Sequence, residues 1–439
     1  MKKKSIPKFV AGLLALGLGM ATPAAHGSDS FNFCGGYDQE PNSIVDLPED
    51  NAMHFDPELG YAEYEQFYWN GILRTPGGKR YAYFLIIYQF TVGDYPFQFP
   101  VRAAAGAIQD LQTKVMYKDS YFDFSSGQAY PLPTQTGSFD FELSNPDPNS
   151  NFHIKATGKN GVDKLEMTFT DGSNLSLIVD NVKNPQTNFH NGFMRYCDAT
   201  LNPECDPFTP SPDGVFGHGL NFGEPGYHGE HYYYSRPRMA AAGKVQVPGG
   251  PKRVVVGDSW FDREFGTFIQ DLQWVWFSIR LDTGEEINVY DIRNYPQPTI
   301  SEETWMTGEP IVQSATFQGA PTSCERVELF GNSAPDGGNG GVGDFELTFS
   351  GGEYGSSRTF LWPTQYTFSV PSRDLDLDIT PEFTDQEFFI VGVFTPYWIG
   401  IANVTGTRDG EPVTGHAYIE AATKCCNGDD GDDLPPVHP

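Results

Sequence analysis

Three consecutive charged residues, Asp262, Arg263 and Glu264, stand between aromatic residues in the run Ser259-Trp260-Phe261-Asp262-Arg263-Glu264-Phe265-Gly266. Val254-Val255-Val256 before it and Trp274-Val275-Trp276-Phe277 after it have the composition of buried strands. A carboxyl group among aromatic rings is costly to ionise, so its pKa rises and it can deliver a proton near neutral pH. Asp262 and Glu264 are therefore the leading candidates for an acid working on an apolar substrate. On an extended strand the two share one face and Arg263 takes the other, so adjacency alone pairs Arg263 with neither. The competing role is structural, an ion-pair network pinning two domains together, because perturbed carboxylates occur in both settings.

Upstream, Tyr232-Tyr233-Tyr234 alternate across a strand, with Tyr233 facing away from its neighbours. His231, with an ordinary pKa of about 6.5, can orient water or share a proton with Asp262. Arg236 and Arg238 are expected to pair with carboxylates such as Glu65 or Glu264. A metal site at His218, His228 and His231 fits no compact element, and neither a metal nor a cofactor is expected. The chain has no Gly-x-Ser-x-Gly elbow, and its glycine-rich stretch Gly337–Gly343 follows no strand-to-helix pattern that would cradle phosphate.

The elements that position these residues read as β. Phe, Tyr and Trp make up 14% of the 439 residues, with 48 Gly and 34 Pro. Strand-like runs recur between turn signals at 81–90, 164–170, 176–180, 274–281, 286–292 and 360–370. Residues 101–117 are the best candidate for a short helix. Many short antiparallel strands predict an all-β chain of two barrels or sandwiches. The expected division is a leader at 1–27, domains at 28–245 and 246–424, and an acidic tail at 425–439. Lys2, Lys3, Lys4 and Lys8 precede an apolar stretch and small residues, the pattern of an export signal. No later segment is expected to cross a membrane, and the location expected is the periplasm or exterior of a Gram-negative bacterium. Six cysteines in an oxidising compartment favour disulfides, with Cys197–Cys205 the most credible pair and Cys34, Cys324, Cys425 and Cys426 unassigned. The formal charge of −29 argues against nucleic acid and anionic membrane as partners.

Taken in order, several segments resemble the carotenoid 1,2-hydratases and their AttH-like and kievitone-hydratase-like relatives. Glu65-Gln66-Phe67-Tyr68-Trp69-Asn70-Gly71 is similar to the family's opening segment, and Tyr233-Tyr234-Ser235-Arg236-Pro237-Arg238 to its Tyr-Tyr-Ser-x-Pro-Arg. Gly257, Trp260, Asp262, Glu264 and Gly266 match its Gly-x-x-Trp-x-Asp-x-Glu-x-Gly, and Gly415 to Glu420 looks like a closing strand. The chain departs from the family at Gln66, Phe67 and Ile72, so substrate choice does not carry over. The resemblance implies two consecutive lipocalin-like antiparallel β-barrels with a site for a hydrophobic small molecule. It also implies Asp262 as the acid, with His231, Tyr233 and Trp260 assisting. Glu264, Tyr68, Trp69 and Trp276 are then expected to contact substrate.

The function expected is hydration of a carbon–carbon double bond, or the reverse, on an isoprenoid-like or polyketide-like molecule. Protonation creates a cation that water captures and aromatic faces stabilise. A carrier of the same fold, or a barrel pair that shapes a polyene for cyclisation, is the alternative.

Overall fold

A computed structural model describes residues 43–47, 49–56, 60–92, 99–123, 137–197, 201–210, 227–267, 272–294, 308, 310–320, 323, 325–331, 343–355, 361–389 and 396–422. The leader, the acidic tail, His218, residues 337–342 and Cys34, Cys324, Cys425 and Cys426 lie outside them. Cys197 and Cys205 form the disulfide expected, with their Cα atoms 5.9 Å apart. Among the described residues no helix is long and apolar enough to cross a membrane.

Alternating sequence produces strands with one wet face. Ser138–Ser144 buries Phe139, Phe141 and Leu143, and Asn174–Asn181 buries Leu175, Leu177 and Val179, with the residues between them reaching solvent. Tyr64–Arg74 and Leu272–Leu281 behave differently and bury almost every residue, which requires apolar cover on both faces. Arg253–Gly266 changes character along its length. Val254 and Val256 are exposed, whereas every residue from Ser259 to Gly266 is buried.

The reason is a second sheet laid over part of the first. The protein is nearly all-β, with two large antiparallel sheets, one a nearly closed barrel and the other a half-barrel. The first orders its strands as Val115–Asp123, Phe99–Asp110, Arg80–Val92, Tyr64–Arg74, Arg253–Gly266, Tyr227–Gln246, Asn174–Asn181, Val162–Thr168, His153–Lys159 and Ser138–Ser144. The second orders Arg326–Phe330, Pro310–Gln318, Glu286–Asn294, Leu272–Leu281, Glu411–Ala422, Pro396–Arg408, Leu375–Pro381, Leu361–Val370 and Glu346–Gly355. The two orders correspond except that Ser138–Ser144 has no counterpart in the second, and in each the last long strand is inserted beside the first.

Two expectations change here. Residues 101–117 are not helical: they run along Phe99–Asp110, turn at 111–114 and enter Val115–Asp123, and the two strands pair antiparallel. Alanines at 103, 104, 105 and 107 favour a helix by propensity, and pairing with Arg80–Val92 overrides it. The boundary expected at 245/246 falls inside the first sheet. Arg253–Gly266 pairs with both Tyr227–Gln246 and Tyr64–Arg74, so the first sheet extends to Gly266 and the second starts at Leu272. Val247–Pro251 is the turn between two long paired strands.

Apolar residues gather in three clusters. One fills the first barrel, around Trp69, Tyr232, Tyr234, Phe261 and Phe265. Another fills the second sheet's concave side, around Phe277, Trp362 and Trp398. The third lies between the sheets and joins Tyr68, Phe84, Tyr233 and Trp260 to Trp276, Tyr290, Ile399 and Tyr418. Polar ties cross this layer: Arg80 grips Glu382 at 2.7 and 3.2 Å, Gln109 donates to Gln386 at 2.9 Å, and Lys183 and Arg238 both hold Glu286.

Candidate active site between the two sheets

Strand alternation sends Phe261, Arg263 and Phe265 into the first barrel and Trp260, Asp262 and Glu264 outward, toward the second sheet. Arg263 is fully buried, ion-paired with Glu65, and lies over the rings of Phe67 and Phe265 at 4.0 and 5.1 Å. It also donates to the carbonyl oxygens of Ala52 at 2.8 Å and Glu264 at 2.9 Å. The expected separation of Arg263 from both acids therefore appears in the geometry. Gly266 ends the strand at φ +142°, where a Cβ would stand 2.3 Å from the Glu230 carbonyl oxygen. Only glycine fits that close approach.

Asp262 is 1% exposed. Its Oδ1 accepts hydrogen bonds from the Tyr233 hydroxyl at 2.9 Å, from Trp260 Nε1 at 2.8 Å and from the Ser235 hydroxyl. Its Oδ2 is buried and makes no hydrogen bond among the described residues. Burial pushes the carboxyl up to about 8 and the neighbouring Glu264 adds to the rise, while the three donors oppose it. At neutral pH Asp262 thus keeps its proton. Oδ1 is occupied by donors, so the proton belongs on Oδ2.

Tyr233 is the hub that holds this geometry. Its oxygen donates to Asp262 while accepting from Trp276 Nε1 at 3.0 Å and Asn288 Nδ2 at 2.6 Å, both on the second sheet. Asn188 Nδ2 in turn donates to Ser235 Oγ at 2.7 Å. The acid is therefore oriented by both sheets at once.

His231 faces the same layer but partners a different acid from the one expected. Its Nε2 lies 2.8 Å from the Thr267 carbonyl oxygen, which can only accept, so Nε2 carries the hydrogen. Nδ1 is left as acceptor, 3.2 Å from the Tyr196 hydroxyl and 3.4 Å from Glu264 Oε2. Burial lowers His231 to about 4 and raises Glu264 to about 8, so the pair is neutral at pH 7. The structure thus joins His231 to Glu264 rather than to Asp262.

Residues 217–324, which include these strands, match the family model described as AttH-like. The resemblance to AttH-like and kievitone-hydratase-like proteins holds. A solved structure from Nitrosomonas europaea, assigned as an AttH, is 20% identical, covers 87% of this chain and 97% of its own, and has a TM-score of 0.62. Kievitone hydratase from Nectria haematococca is 15% identical, covers 87% of this chain and 93% of its own, and has a TM-score of 0.57. Both likenesses show the fold. No curated protein sequence matches the chain.

Tyr68 and Trp276 both face the layer between the sheets, beside Asp262. Tyr68 is the Cα partner of Asp262, and its ring lies 5.4 Å from that of Trp276. Trp69 does not. It points into the first barrel, donating from Nε1 to Asp163 at 2.9 Å and packing 4.8 Å from Phe261. Neighbours on a strand face opposite ways, and a strand buried on both faces hides which is which. The arginine pairings also differ from expectation: Arg236 grips Asp163 inside the barrel and Arg238 grips Glu286 on the second sheet. A register shift between Arg236 and Met239, at Pro237, changes the strand's phase.

Sequence reasoning missed Ser235, Asn288 and Glu420. Ser235 lies two residues beyond Tyr233 on the same face, so alternation could have found it. Asn288 and Glu420 come from the second sheet, and nothing local in their strands announces the contact. Among the described residues no group of His, Cys, Asp and Glu is arranged to hold a metal ion.

Proposed function

We propose that the protein is a hydratase that adds water to, or removes it from, a carbon–carbon double bond of an apolar small molecule, with Asp262 as the acid. The observation that carries this reading is the asymmetry of Asp262: one oxygen saturated by three donors, the other buried and uncommitted on a carboxyl that holds its proton. Such a group can deliver its proton to carbon, because among the described residues no acceptor competes for it. The resulting carboxylate is then stabilised by the same three donors, which were in place beforehand. The faces of Trp260, Trp276 and Tyr68 are suited to a cationic intermediate. Trp260 and Tyr233 position the acid, and His231 and Glu264, both neutral at pH 7, put no charge beside it.

The likeness to kievitone hydratase supports this class of reaction, and the isoprenoid-like or polyketide-like substrate is part of the proposal. Export to an oxidising compartment is proposed with it, on the leader pattern and the Cys197–Cys205 disulfide. The test is to extract the ligand from purified protein and incubate it with enzyme in ¹⁸O-labelled water. Wild type is expected to incorporate or lose one oxygen as water, and Asp262→Asn to bind the ligand without converting it. A ligand bound but returned unchanged by the wild type would make the protein a carrier.

A further inference from the structure

Two buried polar atoms on adjacent strands make no hydrogen bond among the described residues: Asp262 Oδ2 and the Tyr68 hydroxyl. The two residues are Cα partners in an antiparallel ladder, so their side chains leave the sheet on the same face, into the layer between the sheets. Buried polar atoms are nearly always satisfied, and two without a partner on paired residues can share one further polar group. Burial keeps Tyr68 a hydroxyl, both donor and acceptor.

Glu420 approaches from the second sheet. It is 6% exposed, and its Oε1 accepts from Trp274 Nε1 at 3.0 Å. Its Cα partner is Trp276, whose ring lies against Tyr68 and whose Nε1 reaches Tyr233, the tyrosine that holds Asp262. Among neighbouring charges, Glu420 acts most strongly on Tyr68, and Glu420 itself feels Glu264 and Asp262. Tyr68, Glu420 and the uncommitted oxygen of Asp262 therefore face one region from three strands and two sheets.

We propose that Tyr68 and Glu420 form a binding site for a neutral oxygen beside the Asp262 acid: the water that adds, or the hydroxyl that leaves. The oxygen is neutral because no free cation faces it among the described residues. Arg280, the cation that bears on Tyr68, is committed to Asp258 at 2.8 Å and to Asn70 at 2.8 Å. The role rests on the reading of Asp262 as acid, and the steps balance. Asp262 gives its Oδ2 proton to one alkene carbon, the π electrons form the C–H bond, and the other carbon becomes cationic. A lone pair of the held water forms the C–O bond, and the proton it sheds returns to the Asp262 carboxylate. Dehydration runs the same steps backwards, with the hydroxyl leaving as water. Tyr68 and Glu420 orient the oxygen throughout and undergo no net change.

Crystal structures of the full-length wild type, Tyr68→Phe and Glu420→Gln, at a resolution that shows ordered water, test this. The wild type is expected to hold one oxygen within about 3.2 Å of both the Tyr68 hydroxyl and the Glu420 carboxyl. Tyr68→Phe, which preserves the ring's packing, is expected to lose it. A wild-type structure with no oxygen shared by the two groups overturns the proposal, as does an oxygen unchanged in Tyr68→Phe. Wild-type crystals soaked in tert-butanol separate the two sources: an alcohol oxygen in the site assigns it to a substrate hydroxyl, and retained water assigns it to water. Asp262→Asn separates this proposal from the acid reading. Loss of turnover with a dry wild-type site sinks the oxygen site alone, and full turnover with the oxygen in place sinks the acid alone.

Discussion

Asp262 shows how a side chain of ordinary strength becomes a donor near neutrality. Burial raises it, and three hydrogen bonds to a single oxygen limit the rise and leave the other oxygen to react. If the protonated form is the active one, kcat/KM is level at acid pH and falls about tenfold per pH unit above about 8. A fall beginning in the ordinary carboxylate range would contradict that assignment. Tyr233→Phe removes one donor from Asp262 Oδ1, so the acid becomes weaker and the alkaline limb moves to higher pH. The same variant strands the N–H groups of Trp276 and Asn288, which are bonded to the Tyr233 oxygen, at a cost of about 1–3 kcal/mol in urea unfolding. An unchanged limb would show that Tyr233 does not tune the acid. At this scale the sequence was informative: alternation separated Arg263 from Asp262 and Glu264, and Tyr233 from its two neighbours. It could not say which residue His231 meets, because Glu264 and Asp262 share a face and only the register, with His231 opposite Gly266, decides.

At the scale of the element, the strand Arg253–Gly266 is a surface strand at one end and a doubly buried one at the other. Its composition records this change, from Val254-Val255-Val256 to an aromatic run with charges, and the burial of those charges is possible only because each has a fixed environment. Gly266 is the strand's fixed end. Gly266→Ala is expected to cost about 1–3 kcal/mol, from its positive φ and the contact with the Glu230 carbonyl oxygen, read as a lower urea midpoint. An unchanged midpoint would mean that the backbone relaxes there without penalty. The helix expected at 101–117 failed because a ladder on both sides overrides the helix preference of its four alanines. Trp69 failed as a ligand contact for a related reason: in Tyr64–Arg74 both faces are apolar, so composition cannot separate barrel interior from intersheet layer.

At the scale of the whole molecule, the second sheet turns the outside of the first barrel into an interior. The pairing of distant segments that does so, such as Trp276 with Tyr233, leaves no periodic trace in the chain, so Asn288 and Glu420 were illegible before the fold was known. Asp262, Glu264 and Glu420 all have folded-state values of about 8, raised chiefly by burial. Because the unfolded values are lower, their contribution to stability is whole below the ordinary carboxylate range. It is lost as pH rises and is gone once pH passes about 8. Urea unfolding is therefore expected to show a decline across that window that flattens when Asp262 and Glu420 are replaced by Asn and Gln. Equal slopes in variant and wild type would remove these groups from the balance. Glu286 pins the sheets through Lys183 and Arg238. Glu286→Gln leaves those cations without their carboxylate and is expected to lower stability by about 3–5 kcal/mol, with both sheets loosening together in hydrogen exchange.

Acid chemistry at this site turns on the protonation state of one carboxyl, and that can be measured without knowing the substrate. ¹³C NMR of aspartate-labelled protein, with the Asp262 signal assigned by its loss in Asp262→Asn, gives the titration of that group directly. A midpoint near 8 is the result predicted. A midpoint in the ordinary carboxylate range would mean an ionised Asp262 at pH 7, unable to act as the acid.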